Sequence, residues 1–234
     1  LRAIHDVKIS VVVYTTACLT NLVLNWVLIY GNLGAPRLEV AGAAIATAIS
    51  KTVDLIDEYA ESQGAEFVFM IAPNKNSVYP ENMPYYYTPA NGNTNLENLN
   101  AALSDKDYYL DIISTLDLSQ GQVYHKTDTH WNNLGAAQCY NAMMNGLSLP
   151  HTNYIEGGYK EDTIWQGDLT TMMLPNEEIY DAQIIFNTPT EYEYISKFRT
   201  EEDLNIETYN EDGTGNILVY RDSFCNALLP LIAN

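Results

Sequence analysis

Tyr124-His125-Lys126-Thr127-Asp128-Thr129-His130-Trp131 is the one stretch where an acid, a base and an aromatic stand together in a chain of 234 residues with four histidines. Its counterpart is Arg221-Asp222-Ser223-Phe224, where the apolar run Ile217-Leu218-Val219-Tyr220 ends in a polar turn and opens into Phe224-Cys225-Asn226-Ala227-Leu228-Leu229. That succession reads as strand, turn and helix start. Residues two apart share one face of an extended segment and diverge on a helix, so Asp128 and His130 are expected on extended backbone. The carboxylate can then hold the imidazole Nδ1–H, fix its tautomer and leave Nε2 facing outward as a general base. Ser223 supplies a hydroxyl, and N–H groups of the helix start beside it are ready donors for an oxyanion. The pattern points to acyl transfer. Asp-x-His also arises by chance. His125, Asp128 and His130 could alternatively ligate zinc or iron. No cysteine or further histidine stands nearby to complete a metal site, which ranks that reading below the triad.

A net charge of −19 argues against nucleic acid as a partner, because phosphate binding needs clustered Lys and Arg. It suits a well-solvated surface. The three cysteines, Cys18, Cys139 and Cys225, have no paired spacing and lie in apolar or helical stretches, so buried free thiols are expected rather than disulfides. Eighteen tyrosines against five phenylalanines include the cluster Tyr85-Tyr86-Tyr87 between Pro84 and Pro89. Such rings suit a sugar-binding cleft and equally a surface loop.

Residues 9–30 carry no charge and are long enough to cross a bilayer as a helix. Arg2 and Lys8 precede them, which places the N-terminal side in the cytoplasm. Residues 40–50 are rich in small side chains, in the manner of packed membrane helices. From Lys51 the pattern becomes amphipathic and acidic, with Val53, Ile56, Tyr59 and Ala60 at helical period and an end near Gly64. Glu66-Phe67-Val68-Phe69-Met70-Ile71-Ala72 then reads as a buried strand. Asn74, Lys75 and Tyr79 follow at its carboxyl end, the edge where ligands bind in open α/β sheets. They are expected to line the same cleft as the triad, together with Trp131. Helices are expected over 96–103 and from Asn132 or Asn133 to Gly146, and another strand over 182–186. Residues 150–181 read as loops and short elements.

Two resemblances follow from these residues. In residues 1–50, Leu1-Arg2-Ala3, Asn21-Leu22-Val23-Leu24-Asn25 and Ala41-Gly42-Ala43-Ala44-Ile45-Ala46-Thr47 resemble an internal helical hairpin of MATE-type multidrug antiporters, with His5 where that family usually has glycine. Under two helices cannot form a transport pathway. The hairpin is therefore expected as a membrane segment joined near Ser50-Lys51, most simply by an artificial junction. In residues 51–234, Ala72-Pro73-Asn74-Lys75 with Tyr79-Pro80, Thr127-Asp128-Thr129-His130-Trp131 with Gly135-Ala136, Gly167-Asp168-Leu169 and Asp222-Ser223-Phe224 occur in the order of the DHHW and alginate-acetylation (AlgX/AlgJ-like) proteins.

The second resemblance implies an α/β fold, a three-layer α/β/α SGNH-hydrolase-like sandwich. It also implies no cofactor and O-acetyl transfer or acetylester hydrolysis on polysaccharide of the cell envelope or outside the cell. By position it makes Ser223 the nucleophile, His130 the base and Asp128 its orienter. Arg221 departs from the glycine of the wider superfamily, and the chain stops at Asn234, where the family usually continues. Two other functions compete with this one: a fragment of a membrane antiporter, supported by residues 1–50 alone, and a catalytically silent carbohydrate-binding module.

Overall fold

The structure, a computed structural model, describes residues 41–86 and 93–234. The apolar stretch 9–30, Cys18, most of the MATE-like hairpin and Tyr87 lie outside the described residues. Of the rest, two compact units form, one containing 41–52 with 93–102 and the other 53–86 with 103–234.

Helix α1 (Ala41–Ser62) runs without a break through Ser50-Lys51. Its covered line is Ala46, Ser50 and Val53, at i, i+4 and i+7, whereas Ile56 and Tyr59 lie off that line and are exposed. No described helix is long and apolar enough to cross a membrane. In the first unit, Ser50 donates its hydroxyl to the Ala102 carbonyl. Helix α3 (Asn95–Leu103) opens with a capping box, the Thr94 N–H bonding Glu97 and the Glu97 N–H bonding the Thr94 hydroxyl.

The second unit starts with β1 (Phe69–Met70), which pairs in parallel with β2 (Tyr109–Leu110). Between them lies α2 (Lys75–Val78), and after β2 comes the short α4 (Ile112–Thr115), capped by Asp111. At the centre is α5 (Asn133–Gly146), buried around most of its circumference through Leu134, Ala136, Ala137, Cys139, Tyr140, Met143 and Met144. Its one polar line, Gln138, Asn141 and Asn145 at i, i+3 and i+7, is partly used inside the fold, Gln138 bonding the Asp117 backbone and Asn141 the Asn153 side chain. The Asn132 side chain caps it, accepting from the Leu134 and Gly135 N–H groups. Gly135 is required there, since a Cβ would meet the Val123 carbonyl at 2.5 Å.

Strand β3 (Tyr159–Trp165) pairs antiparallel with β4 (Asp181–Phe186), and α6 (Asp168–Met173) stands between them. The loops and short elements expected over 150–181 include a seven-residue strand, mostly exposed, so no hydrophobic alternation marks it. Strands β5 (Glu193–Tyr194) and β6 (Thr208–Tyr209) form a third pair, and α7 (Leu229–Ile232) follows the turn at Ser223. Among the described residues the strands therefore make three separate two-stranded sheets, and no single sheet of a three-layer sandwich is assembled from them. The expected strand Ile217-Leu218-Val219-Tyr220 does not form; Leu218 is 80% and Tyr220 93% exposed. An apolar run becomes a strand only against an edge that pairs its N–H and C=O groups, and residues 217–220 pair with none of the described strands.

Cys139 and Cys225 are buried free thiols. Burial pushes them up to about 12 and about 11, as befits core residues.

A candidate active site between the Asp128 loop and the Ser223 turn

Tyr124 and Trp131 form an antiparallel bridge, so residues 125–130 are a closed excursion whose two ends are pinned together. Within it the backbone bends continuously from Lys126 to His130 and is not extended. Asp128 reaches His130 because its Oδ1 accepts the His130 N–H at 2.9 Å, an Asx turn that folds the side chain onto the residue two positions on. The same oxygen accepts from His130 Nδ1 at 2.7 Å. His130 Nε2 lies 2.8 Å from Ser223 Oγ. Carboxylate, imidazole and hydroxyl therefore form one connected line. The Asp128 side chain is 4% exposed and the His130 side chain 29%, while Ser223 is exposed.

Asp128 has two further partners that sequence spacing did not reveal. Its Oδ2 accepts from the Trp165 indole N–H at 3.0 Å and from the Asp168 backbone N–H at 3.2 Å. Burial alone would raise its pKa, but the bonds from His130, Trp165 and Asp168 outweigh that and hold it at about 2. The acid is thus an anion at every ordinary pH.

Three devices grip the backbone around it. Asp168 accepts from the Thr129 N–H at 2.9 Å and from the Thr129 hydroxyl. Asp181 accepts from the N–H groups of Lys126 and Thr127. Lys75 donates to the carbonyls of His125, Lys126 and Asp128 at 2.5, 2.9 and 3.0 Å. Gly167 permits the close approach of α6, because a Cβ there would fall inside the Thr127 carbonyl. The signal for Trp165, Gly167 and Asp168 lay in Trp165-Gln166-Gly167-Asp168-Leu169; Asp181, at the start of β4, had none.

Ser223 opens a four-residue 3-10 turn (Ser223–Asn226) and not a long helix. Asp222 accepts the Phe224 N–H with its side chain, and its carbonyl accepts the Cys225 N–H. Two of the N–H groups expected to serve an oxyanion are therefore already occupied. Arg221, in place of glycine, braces the turn by bonding Asn226 Oδ1 and the Glu201 carbonyl. The turn is tied to the Asp128 loop through the Trp131 indole N–H, which donates to the Phe224 carbonyl at 2.8 Å.

The residues expected to bind substrate have other positions. Trp131 is 3% exposed and lies in the core beneath the site. The three bonds of Lys75 use all three of its N–H donors, which leaves none for a ligand. Tyr79 accepts the Val123 N–H with its hydroxyl and supports the bridge strand. Asn74 is exposed at the N-cap of α2, apart from the contacts that hold the loop. Tyr85 and Tyr86 are 99% and 74% exposed and pack edge to face.

His125 is not a partner of Asp128 in a metal set. Its ring is buried, stacked on Trp165 at 4.7 Å, and its Nδ1–H donates to the Ala182 carbonyl. Burial holds its pKa below the usual histidine value, although Asp128 and Asp181 oppose this. The described residues that bring three ligand atoms close together are Asp128, His130 and Asp168. Their atoms are committed to the bonds described above, as a hydrogen-bonded relay requires.

An α/β domain with a serine, a histidine and an aspartate in line is the arrangement of SGNH-type hydrolases and transferases. Residues 35–178 match the family described as "SGNH hydrolase-like domain, acetyltransferase AlgX", and the chain belongs to that family. The matched span holds Lys75, Asp128, His130 and Asp168 but ends before Ser223. The chain is 30% identical over 124 residues to "Probable alginate O-acetylase AlgJ" of Pseudomonas syringae pv. tomato, covering 48% of this chain and 31% of that protein. It is 45% identical over 49 residues to "Probable multidrug resistance protein NorM" of Photorhabdus laumondii, covering 21% of this chain and 11% of that one. The chain thus spans under a third of each of these two relatives. Among solved structures, it is similar to the O-acetyltransferase domain of Pseudomonas putida AlgJ, with 22% identity, 62% and 57% of the two chains covered and a TM-score of 0.45. It is also similar to a DHHW family protein from Eubacterium siraeum, with 19% identity, 79% and 72% covered and a TM-score of 0.48.

Proposed function

We propose that the unit carrying Asp128, His130 and Ser223 is a Ser-His-Asp O-acetyltransferase or acetylesterase that acts on polysaccharide of the cell envelope or outside the cell. The observation that carries this reading is the unbroken line from Asp128 Oδ1 through His130 to Ser223 Oγ, with separations of 2.7 and 2.8 Å. His130 Nε2 removes the Ser223 proton as Oγ attacks the carbonyl carbon of an acetyl ester. The imidazolium, held against the Asp128 anion, returns that proton to the leaving alkoxide, and acetyl-Ser223 remains. A sugar hydroxyl or a water, deprotonated by the same Nε2, then takes the acetyl group and frees the serine. The first outcome is transfer and the second hydrolysis; both use the same residues. The α/β/α sandwich and membrane attachment through residues 1–50 belong to the same proposal, the AlgX family match supporting the first and the short similarity to an antiporter the second.

The test is turnover of p-nitrophenyl acetate with and without a polysaccharide acceptor. The intact protein should release nitrophenol and, with the right acceptor, form acetylated glycan. Ser223→Ala and His130→Ala should each lose about three or more orders of magnitude. Equal rates in wild type and Ser223→Ala would remove the reading.

A further inference from the structure

The ammonium of Lys75 has no carboxylate within its set of hydrogen-bond partners. It is surrounded by three carbonyl oxygens from a single loop, those of His125, Lys126 and Asp128, at 2.5, 2.9 and 3.0 Å. An ammonium offers three N–H donors, so donors and acceptors match one for one. A loop that turns three carbonyl dipoles, those of residues 125, 126 and 128, toward one point repels itself unless a cation occupies that point. The same loop, within two residues of these carbonyls, carries the carboxylate and the imidazole that must meet Ser223. Lys75 itself starts α2, directly beyond β1, and is thus anchored on a different part of the chain from the loop it holds.

We propose that Lys75 is a positioning residue: its ammonium acts as a built-in cation that winds the 125–128 backbone into the shape that aligns Asp128 and His130 with Ser223. This rests on the Ser-His-Asp reading of the site. An arginine cannot replace it, because a planar fork does not aim three N–H groups at three converging oxygens. Removal of the side chain beyond Cβ leaves a hole lined by carbonyl oxygens and sized for a primary alkylammonium ion. Misplacing the loop by about an ångström costs turnover on the order of a hundredfold without changing how a small ester binds.

The experiment uses the full chain with Lys75→Ala, Lys75→Met and Lys75→Arg, and p-nitrophenyl acetate as substrate. Lys75→Ala should lose about a hundredfold in kcat, with KM changed less than about twofold. Adding n-propylammonium should restore at least about a tenth of the lost activity, whereas tetramethylammonium, which has charge but no N–H donor, should not. Lys75→Met, whose side chain fills the hole, should stay slow with either ion. In parallel, the downfield Nδ1–H resonance of His130 should shift or vanish in Lys75→Ala and return with n-propylammonium. An inactive wild type that still shows this spectral loss and return would leave the positioning role standing while the acyl-transfer reading fell. An active wild type with unchanged Lys75→Ala and Lys75→Met, or an activity loss that n-propylammonium and tetramethylammonium relieve equally, would overturn the positioning role.

Discussion

At the scale of single residues, the site depends on Asp128 being an anion that is fully used. Its two oxygens accept four hydrogen bonds, from the His130 N–H and Nδ1–H, the Trp165 indole and the Asp168 N–H. Asp128→Asn places an amide where a tautomer lock is needed, and turnover should fall by up to about four orders of magnitude with the fold retained. The same bonds have a thermodynamic consequence. The folded pKa of about 2 lies below the unfolded value, so the stabilisation is fully present above about pH 4 and disappears as pH falls through 2. Acid titration monitored by circular dichroism should show a loss of about 2 kcal/mol over that window, absent in Asp128→Asn. Trp165→Phe keeps an aromatic ring to stack on His125 but removes one donor to Asp128. Turnover should drop about tenfold and the acid limb of unfolding should move to higher pH. That Asp128, His130 and Ser223 meet was readable from residue types and their order. Asp181 was not, because its contact crosses 55 positions of the chain and leaves no local pattern; Trp165 stood in a noticed motif, but its bond to Asp128, 37 positions away, was not readable.

At the scale of elements, helices were legible and strands only where the run was both apolar and paired. Helix α5 was marked by Asn132 or Asn133 as cap and Gly146 as stop, and of the two it is Asn132 that bonds the first turn. Strand β4 was visible as Ala182-Gln183-Ile184-Ile185-Phe186, an apolar run that also finds a partner. Its partner β3 is mostly exposed, so it lacks the burial that produces a readable period. The run Ile217-Leu218-Val219-Tyr220 has the composition of a strand without the pairing, which only another segment can supply. The extended backbone expected for Asp128 and His130 proved to be an Asx turn; both conformations bring residues i and i+2 together, and spacing alone does not distinguish them. The close approach of α6 to the catalytic loop also gives a test. Gly167→Ala drives a methyl into the Thr127 carbonyl, and with backbone on one side there is no flexible side chain to yield. The variant should lose about 1–3 kcal/mol in denaturant unfolding and most of its esterase activity, while Gly213→Ala, where a Cβ meets only Asn210, should leave the activity unchanged.

At the scale of the whole molecule, a net charge of −19 bears on which acceptors can approach. A polyanionic glycan should be acetylated faster as salt screens the repulsion, whereas a neutral glycan should show no such rise between about 10 mM and 150 mM salt. The change of sequence character at Ser50-Lys51 carries a separate expectation. Because α1 runs through that point and Ser50 bonds the Ala102 carbonyl, a chain expressed from Ala41 onward should fold without detergent, and aggregation relieved only by restoring residues 1–40 would count against independence. Both expectations are secondary to the existence of an acetyl-serine. The direct measurement is acid quenching of the protein during turnover of p-nitrophenyl acetate, followed by peptide mass spectrometry. The account predicts an acetyl group on the peptide containing Ser223, on the Ser223 side chain itself, that builds up within the first turnover and is missing from His130→Ala. Steady ester turnover with Ser223 never acetylated, or with the acetyl group carried by another residue, would contradict it.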